Sequence, residues 1–417
     1  MRIFQVANYI PGYHQTSGGA EQACYNLVKY LKKKGEDVTL FTTHLNKPSK
    51  EIFPIKELPT IRDVVGKTID KYLEIFKWYL MQFDIVAFFY FFTALKKFKP
   101  RIVHFHNIHV PTLSLIWLAK LMGSKTYLSV YDYWYFCPNV TLLDYNEKIC
   151  RRFHGTYCVK CLPNSFRLIQ KFLLLFRKKV FDFFLKCVDF YFVLSKSSAN
   201  ILQDYGIPEQ KIHIVHLTLF DKDNAPPPGR TEKNLLVFAG WFQPRKGLHI
   251  LLDAMPEVLK EFPSAKLYVF TNEPKWGGME YKQKIYSMVE EKGLKDNIVF
   301  SGKRPHNEVE SFLSRAQVVI IPEQWENMSP VVLSEAMAFA RPTVASNIGG
   351  IPEFIHDGIN GFLAEYNNPG EFAEKIICIM KDEKMAEEMG NRARNDALEL
   401  FDKENCLNKI IQVYYNR

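Results

Sequence analysis

Groups able to handle a charged ligand are densest in the last third of this 417-residue chain. The apolar run 317–321 predicts a buried strand. Pro322-Glu323-Gln324-Trp325-Glu326-Asn327-Met328-Ser329-Pro330 follows it. Ser329 is expected to cap a helix and Pro330 to be its first residue. The unpaired N–H groups of that helix start would face whatever lies beyond the strand end, which suits a diphosphate. Glu335, about a turn and a half into the helix, can accept two hydroxyl hydrogen bonds from a ribose. The same pattern also describes an ordinary strand-to-helix turn with a solvated glutamate.

Two further loops have related chemistry. Gly240-Trp241-Phe242-Gln243-Pro244-Arg245-Lys246-Gly247 follows a predicted strand and opens a helix. Arg245 or Lys246 can neutralise a leaving diphosphate, although a basic helix start facing solvent looks alike. Asn347-Ile348-Gly349-Gly350-Ile351-Pro352-Glu353 places a glycine pair before another helix. Near the N-terminus, Ser17-Gly18-Gly19-Ala20-Glu21 does the same, and adjacent glycines let backbone amides approach a phosphate.

The elements that position these loops alternate. Strand-like runs at 37–43, 101–106, 125–131, 189–194 and 211–217, and again at 234–239, 265–270, 297–301, 317–321 and 341–346, are separated by helical patterns. That rhythm implies parallel sheets covered on both faces. The proline-rich stretch 221–230 divides the chain into an N-terminal domain, 1–220, and a C-terminal domain, 231–402. The tail, 403–417, is helical in pattern and is expected to pack back on the first domain. Ligands of such sheets bind beyond the carboxyl ends of the strands, so two facing domains would hold a substrate between them.

Gly18-Gly19-Ala20-Glu21, His104-Phe105-His106, Arg245-Lys246-Gly247, Glu335-Ala336-Met337-Ala338 and Gly349-Gly350-Ile351-Pro352-Glu353, in that order, resemble glycosyltransferase family 4. The resemblance implies the α/β fold class GT-B: two Rossmann-like, doubly wound parallel-sheet domains facing across a cleft. It also implies an NDP-sugar donor (UDP- or GDP-linked), retention at the anomeric carbon, and no catalytic cofactor. Carried over by position, Lys246 holds the donor phosphates, with Arg245 beside it to compensate for a missing arginine or with backbone amides alone, and Glu335 holds the ribose. Gly349 and Gly350 contact sugar and diphosphate, as Gly18 and Gly19 do from the N-terminal side. His106 corresponds to the histidine that reaches the donor sugar, with His109 as the alternative or either as a buried structural histidine. Asp132 matches an acceptor-side acid, or else caps a strand end.

Two departures stand out. The family spaces its glutamates Glu-x7-Glu, but eight residues separate Glu326 from Glu335, leaving Asn327 at the usual position. Either Glu326 or Asn327 therefore meets the sugar, within the donor loop that includes Met328, Ser329 and Pro330. Trp241 stands where an arginine commonly partners the lysine.

A net charge of +9 asks for an acidic partner. From 151 to 186 there are nine Lys or Arg against one acid, Asp182, threaded through phenylalanines and leucines. Such a segment suits an anionic membrane surface. A packed helix with a basic outer face is the plainer reading, and no nucleic-acid motif accompanies the charge. Residues 67–101 have a similar flavour. The longest uncharged apolar run, 85–95, is 11 residues, short of the ~20 that span a bilayer. With no leader evident at Met1, a cytoplasmic protein peripheral to the inner membrane face is expected.

Cys137, Cys150, Cys158 and Cys161, spaced x12, x7 and x2, fit a structural zinc site within an insert at 137–161, or free thiols. The function expected is transfer of a sugar to a hydroxyl of a glycan or polyprenyl-linked acceptor in surface polysaccharide biosynthesis. A sugar-nucleotide epimerase of the same architecture, or a non-catalytic sugar-nucleotide-binding paralogue, are the alternatives.

Overall fold

Short runs of Val, Ile, Leu and Phe build the interior strands, because a parallel sheet covered on both faces buries both sides of each strand. The computed structural model describes residues 1–14, 18–65, 77, 82–162, 167–218, 220, 222, 225–272 and 278–415. It divides into two units, Met1–Thr218 with Leu407–Arg417, and Leu219–Cys406. Ser17, most of the basic stretch 67–81, and three positions of the proline-rich linker (221, 223 and 224) lie outside the described residues.

The first unit contains β1 (Arg2–Ala7), β2 (Asp37–Thr42), β3 (Ile55–Glu57), β4 (Ile102–His106), β5 (Lys125–Ser129), β6 (Phe190–Val193) and β7 (Ile212–Ile214). They form one parallel sheet in the order β3-β2-β1-β4-β5-β6-β7. Helices α1 (Gly19–Lys33), α2 (Ile85–Phe98), α3 (Ser114–Leu121), α4 (Arg167–Leu185) and α5 (Lys196–Tyr205) make the crossovers.

The second unit contains β8 (Leu235–Trp241), β9 (Lys266–Asn272), β10 (Ile298–Phe300), β11 (Val318–Ile321), β12 (Thr343–Ser346) and β13 (Phe362–Ala364), ordered β10-β9-β8-β11-β12-β13 and all parallel. Its helices are α6 (Leu248–Glu261), α7 (Met279–Glu291), α8 (His306–Arg315), α9 (Val331–Ala338), α10 (Pro369–Lys381) and α11 (Glu383–Leu400). Its core packs Leu251, Met255 and Val258 of α6 with Ile376 and Ile379 of α10 and the strand residues Leu236, Leu267 and Ile320. Helix α12 (Lys403–Tyr415) begins in the second unit, and from Leu407 onward it belongs to the first.

Both sheets reverse their strand order beside the first strand, between β1 and β4 and between β8 and β11. The crevice at such a reversal, beyond the carboxyl ends, is where ligands of open α/β sheets bind. In the second unit the loops that leave β8 and β11 carry Arg245, Lys246 and residues 322–330 to this position.

Among the described residues no helix is long and apolar enough to cross a membrane. Arg177, counted above with the basic surface, is fully buried. Its guanidinium donates to the Trp134 carbonyl at 2.8 Å, bonds His154 Nδ1 at 3.0 Å and stacks on Phe181.

Candidate functional site

The turn after β8 is shaped by Gly247. Its φ is +73°, and a Cβ there would lie 1.6 Å from the carbonyl oxygen of Pro322. Only glycine lets this turn close on the end of β11. The preceding residue, Lys246, then sends Nζ to Glu323 Oε1 at 2.5 Å, with side chains only 17% and 4% exposed. Burial pushes the Lys246 ammonium down from its ordinary range, and the Glu323 carboxylate opposes that shift. Glu323 also accepts from Trp325 Nε1 and, at 3.0 Å, from Asn327 Nδ2. Arg245 lies over the Trp325 ring, 4.3 Å from its centroid, while its Nε donates to Gln243.

The same knot reaches the glycine pair. Asn327 Oδ1 accepts from the Ser329 amide at 3.2 Å, and the Asn327 carbonyl accepts from the Gly350 amide at 2.8 Å. Gly349 has φ +62°, and a Cβ on it would fall 2.6 Å from the Asn327 oxygen and 2.9 Å from the Glu326 carbonyl carbon. Lys246, Asn327, Gly349 and Gly350 are thus joined by contacts through Glu323. Both functional ends of the Asn327 side chain are spent inside the loop, and Glu326, also partnered, is buried beside it.

Ser329 does not cap the helix. Helix α9 starts at Val331 with Pro330 at the N-cap and no side-chain cap, one residue later than expected. The reason is the Asn327 side chain, which has already taken the Ser329 amide and turned the loop before the serine arrives. Ser329 Oγ is left buried without a hydrogen-bond partner, beside a helix start whose first amides have no intrahelical acceptor. Met328 is buried in the same loop. Glu335, on α9, is 12% exposed and lies 3.3 Å from Nε2 of His306, the first residue of α8.

In the first unit, polar groups at the strand ends turn inward. His106 is 1% exposed and both its ring nitrogens are engaged, Nε2 with Gln5 Oε1 at 2.7 Å and Nδ1 with the Tyr131 hydroxyl at 3.1 Å. His104 bonds Ser129 Oγ and the Tyr414 hydroxyl, which also accepts from Gln5 Nε2. Burial lowers His106 to about 3 and His109 to about 4. His109 is half-buried, bonded to Asn8 and Asn107 and set edge-on to Trp134. Asp132 Oδ1 accepts from the Trp134 amide at 2.9 Å, a local turn at the end of β5. Gly18 is the N-cap of α1, with its amide donating to Glu21 at 2.8 Å, and Gly19 is the first helical residue.

Sequence reasoning gave Glu323 and His306 no role. Glu323 becomes readable only with the strand order, which puts the end of β11 beside the end of β8 and so sets a carboxylate opposite Lys246.

Two family models match consecutive parts of the chain, Glycosyltransferase Family 4 over residues 17–218 and Glycosyl transferases group 1 over 220–396. An uncharacterized glycosyltransferase of Methanocaldococcus jannaschii is 30% identical over 184 residues, 43% of this chain and 48% of that protein. The chain thus spans about half the length of the curated relatives it matches. Sucrose-phosphate synthase from Thermosynechococcus elongatus has the same fold, with TM-score 0.71 at 18% identity over 99% of this chain and 98% of that one. Anabaena HepE, solved in complex with UDP-glucose, superposes with TM-score 0.67 at 14% identity, covering 99% of each chain. With both units matched and the two-sheet architecture shared, the chain belongs to the group 1, family 4 glycosyltransferases of GT-B fold.

Proposed function

We propose that this chain is a retaining glycosyltransferase that moves a sugar from a nucleoside diphosphate to a hydroxyl of a glycan or lipid-linked acceptor in surface polysaccharide biosynthesis. One observation carries the reading: a buried lysine–carboxylate pair tied to a positive-φ glycine at the strand-order reversal of the second unit. A buried ammonium held beside free helix amides is an organised counter-charge for a diphosphate, and it acts most strongly as charge develops on the leaving group. Lys246 and the amides at the start of α9 take the phosphates, Glu335 takes the ribose, and the loop of Glu326 and Asn327 faces the sugar. In front-face displacement the bond from the anomeric carbon to the phosphate oxygen breaks. The acceptor oxygen bonds that carbon on the same face, and its proton passes to the departing diphosphate. On the first unit, His109, half-buried where His106 is fully enclosed, is better placed to meet a substrate.

The acceptor reading rests on α4. Leu168 is 86% and Phe172 60% exposed, with Leu175, Phe176 and Phe183 also outward among Lys171, Lys178 and Lys179. Phe183 meets Trp117 of α3, which stacks on Phe88 of α2, where Phe89 and Tyr90 are exposed. An apolar face interspersed with lysines fits an anionic bilayer, which supports the reading of a peripheral protein at the inner face of the cell membrane.

The test is a panel of UDP- and GDP-sugars incubated with and without acceptors, read by nucleotide release and by NMR of the new anomeric centre. The proposal expects nucleotide release that requires an acceptor, with retained configuration. Turnover without any acceptor would favour an epimerase, and donor binding without transfer across the panel a non-catalytic paralogue.

A further inference from the structure

Four of the eight cysteines, Cys137, Cys150, Cys158 and Cys161, fall in the segment between β5 and α4, which is almost without regular structure. The chain there is unusually contorted. Val140, Leu142, Glu147 and Phe153 all have positive φ, four of the nine such non-glycine residues among those described. A β-branched valine at φ +68° is costly for the backbone, and such conformations persist only where the surroundings over-determine them. Its apolar packing joins Cys158 and Leu162 to Leu173 and Leu174 of α4 and sets Phe153 edge-on to Tyr205 of α5. A further tie beside that packing would account for four strained residues in one loop.

The sulfurs supply a candidate. Cys137, Cys150 and Cys161 all stand within electrostatic reach of Cys158. The Val140 amide donates to the Cys137 carbonyl at 2.9 Å and the Cys150 amide to the Leu142 carbonyl at 2.8 Å, which folds Cys150 back toward the Cys137 turn, while Cys158 and Cys161 share one 3₁₀ turn. Four sulfurs gathered on one loop, two of them in Cys-x-x-Cys, are a donor set that suits tetrahedral zinc. Arg177, buried on α4, lies within electrostatic reach of both Cys137 and Cys158. A tetrathiolate zinc centre has a net charge of about −2, which a buried arginine would partly offset. All four cysteines are thiols in the structure, and among the described residues no group of three His, Cys, Asp or Glu is closed tightly enough to hold a metal. Ligation therefore asks the sulfurs to draw in to about 2.3 Å from a common centre, each giving up its proton.

We propose that Cys137, Cys150, Cys158 and Cys161 bind one structural zinc ion, which clamps the 137–161 loop against Trp134 and Arg177. Catalysis is not routed through the metal, so the idea stands or falls independently of sugar transfer. The test is metal content of the purified full chain by mass spectrometry, with Cys158→Ser plus Cys161→Ser as the disabled form and Cys378→Ser, on exposed α10, as control. About one zinc per chain is expected in wild type and control, and loss of most of it in the double variant. Should that variant not fold, cobalt exchanged into wild type gives a second reading, with strong thiolate-to-cobalt absorption expected. A wild-type chain that takes up neither metal from a thiol-reduced, metal-supplemented preparation would overturn the proposal, as would paired disulfides accounting for the four cysteines.

Discussion

The two sheets share the same strand order over six strands, yet they use their strand ends in opposite ways. In the first unit Gln5, His104, His106, Ser129 and Tyr414 bond to one another and leave little to offer a ligand. In the second, the strand ends hold a charged pair under partial cover, an unpartnered serine hydroxyl and a helix start with open amides. A satisfied network rigidifies, whereas a site for a highly charged ligand keeps its compensating charge and donors in reserve. Within one fold, the chemistry lies in what the loops leave unsatisfied.

The contrast can be attacked by substitution, beginning where the effect is largest. Lys246→Ala removes the counter-charge and strands Glu323, and turnover measured by nucleotide release is expected to fall on the order of 10²–10³-fold or more. Near-normal turnover would remove the lysine from the mechanism. Gly349→Ala forces a Cβ into the Asn327 backbone at a positive φ. It should cost about 1–3 kcal/mol in denaturant unfolding and weaken donor binding, because the loop bearing Glu326 has to move.

The next pair compares the units directly. His106→Ala breaks the inward network, so it should lower stability by about 1–3 kcal/mol. His109→Ala should lower turnover with a smaller change in stability. The reverse outcome would return the substrate-facing role to His106.

The mildest effect is expected from His306. Its hydrogen bond to Glu335 raises its pKa above 6.5, so the pair's contribution to folding is fully present below that value and is lost as pH rises through the folded pKa. A ribose competes for the same carboxylate. Donor affinity by calorimetry should therefore improve modestly from pH 6 to 8, and His306→Ala should flatten the profile.

Much of this was legible in the residues. Valine- and isoleucine-rich runs marked the interior strands to within two or three residues at most ends, since full burial leaves a continuous apolar signature. β3 escaped because Ile-Lys-Glu has no such run and pairs only along one edge. Arg177 was read as a surface cation, yet it shares the spacing of Leu173, Leu174, Phe181 and Phe184, the buried face of α4. The glycines at 247 and 349 were visible as a motif. Their purpose, letting one loop's backbone touch another's, depends on contacts between strands that sequence spacing does not reveal. The helix start slipped by one residue because a side chain three positions before the cap, Asn327, had captured the amide of Ser329.

The central claim is that the loops of the second unit form a sugar-nucleotide pocket. Amide hydrogen exchange of the full chain, with and without saturating UDP or GDP, tests it most directly. The account predicts slowed exchange confined mainly to residues 245–247, 326–333 and 349–351 with one of the two nucleotides. Unchanged exchange in all three segments alongside measurable binding, or protection centred instead on residues 102–109, would contradict it.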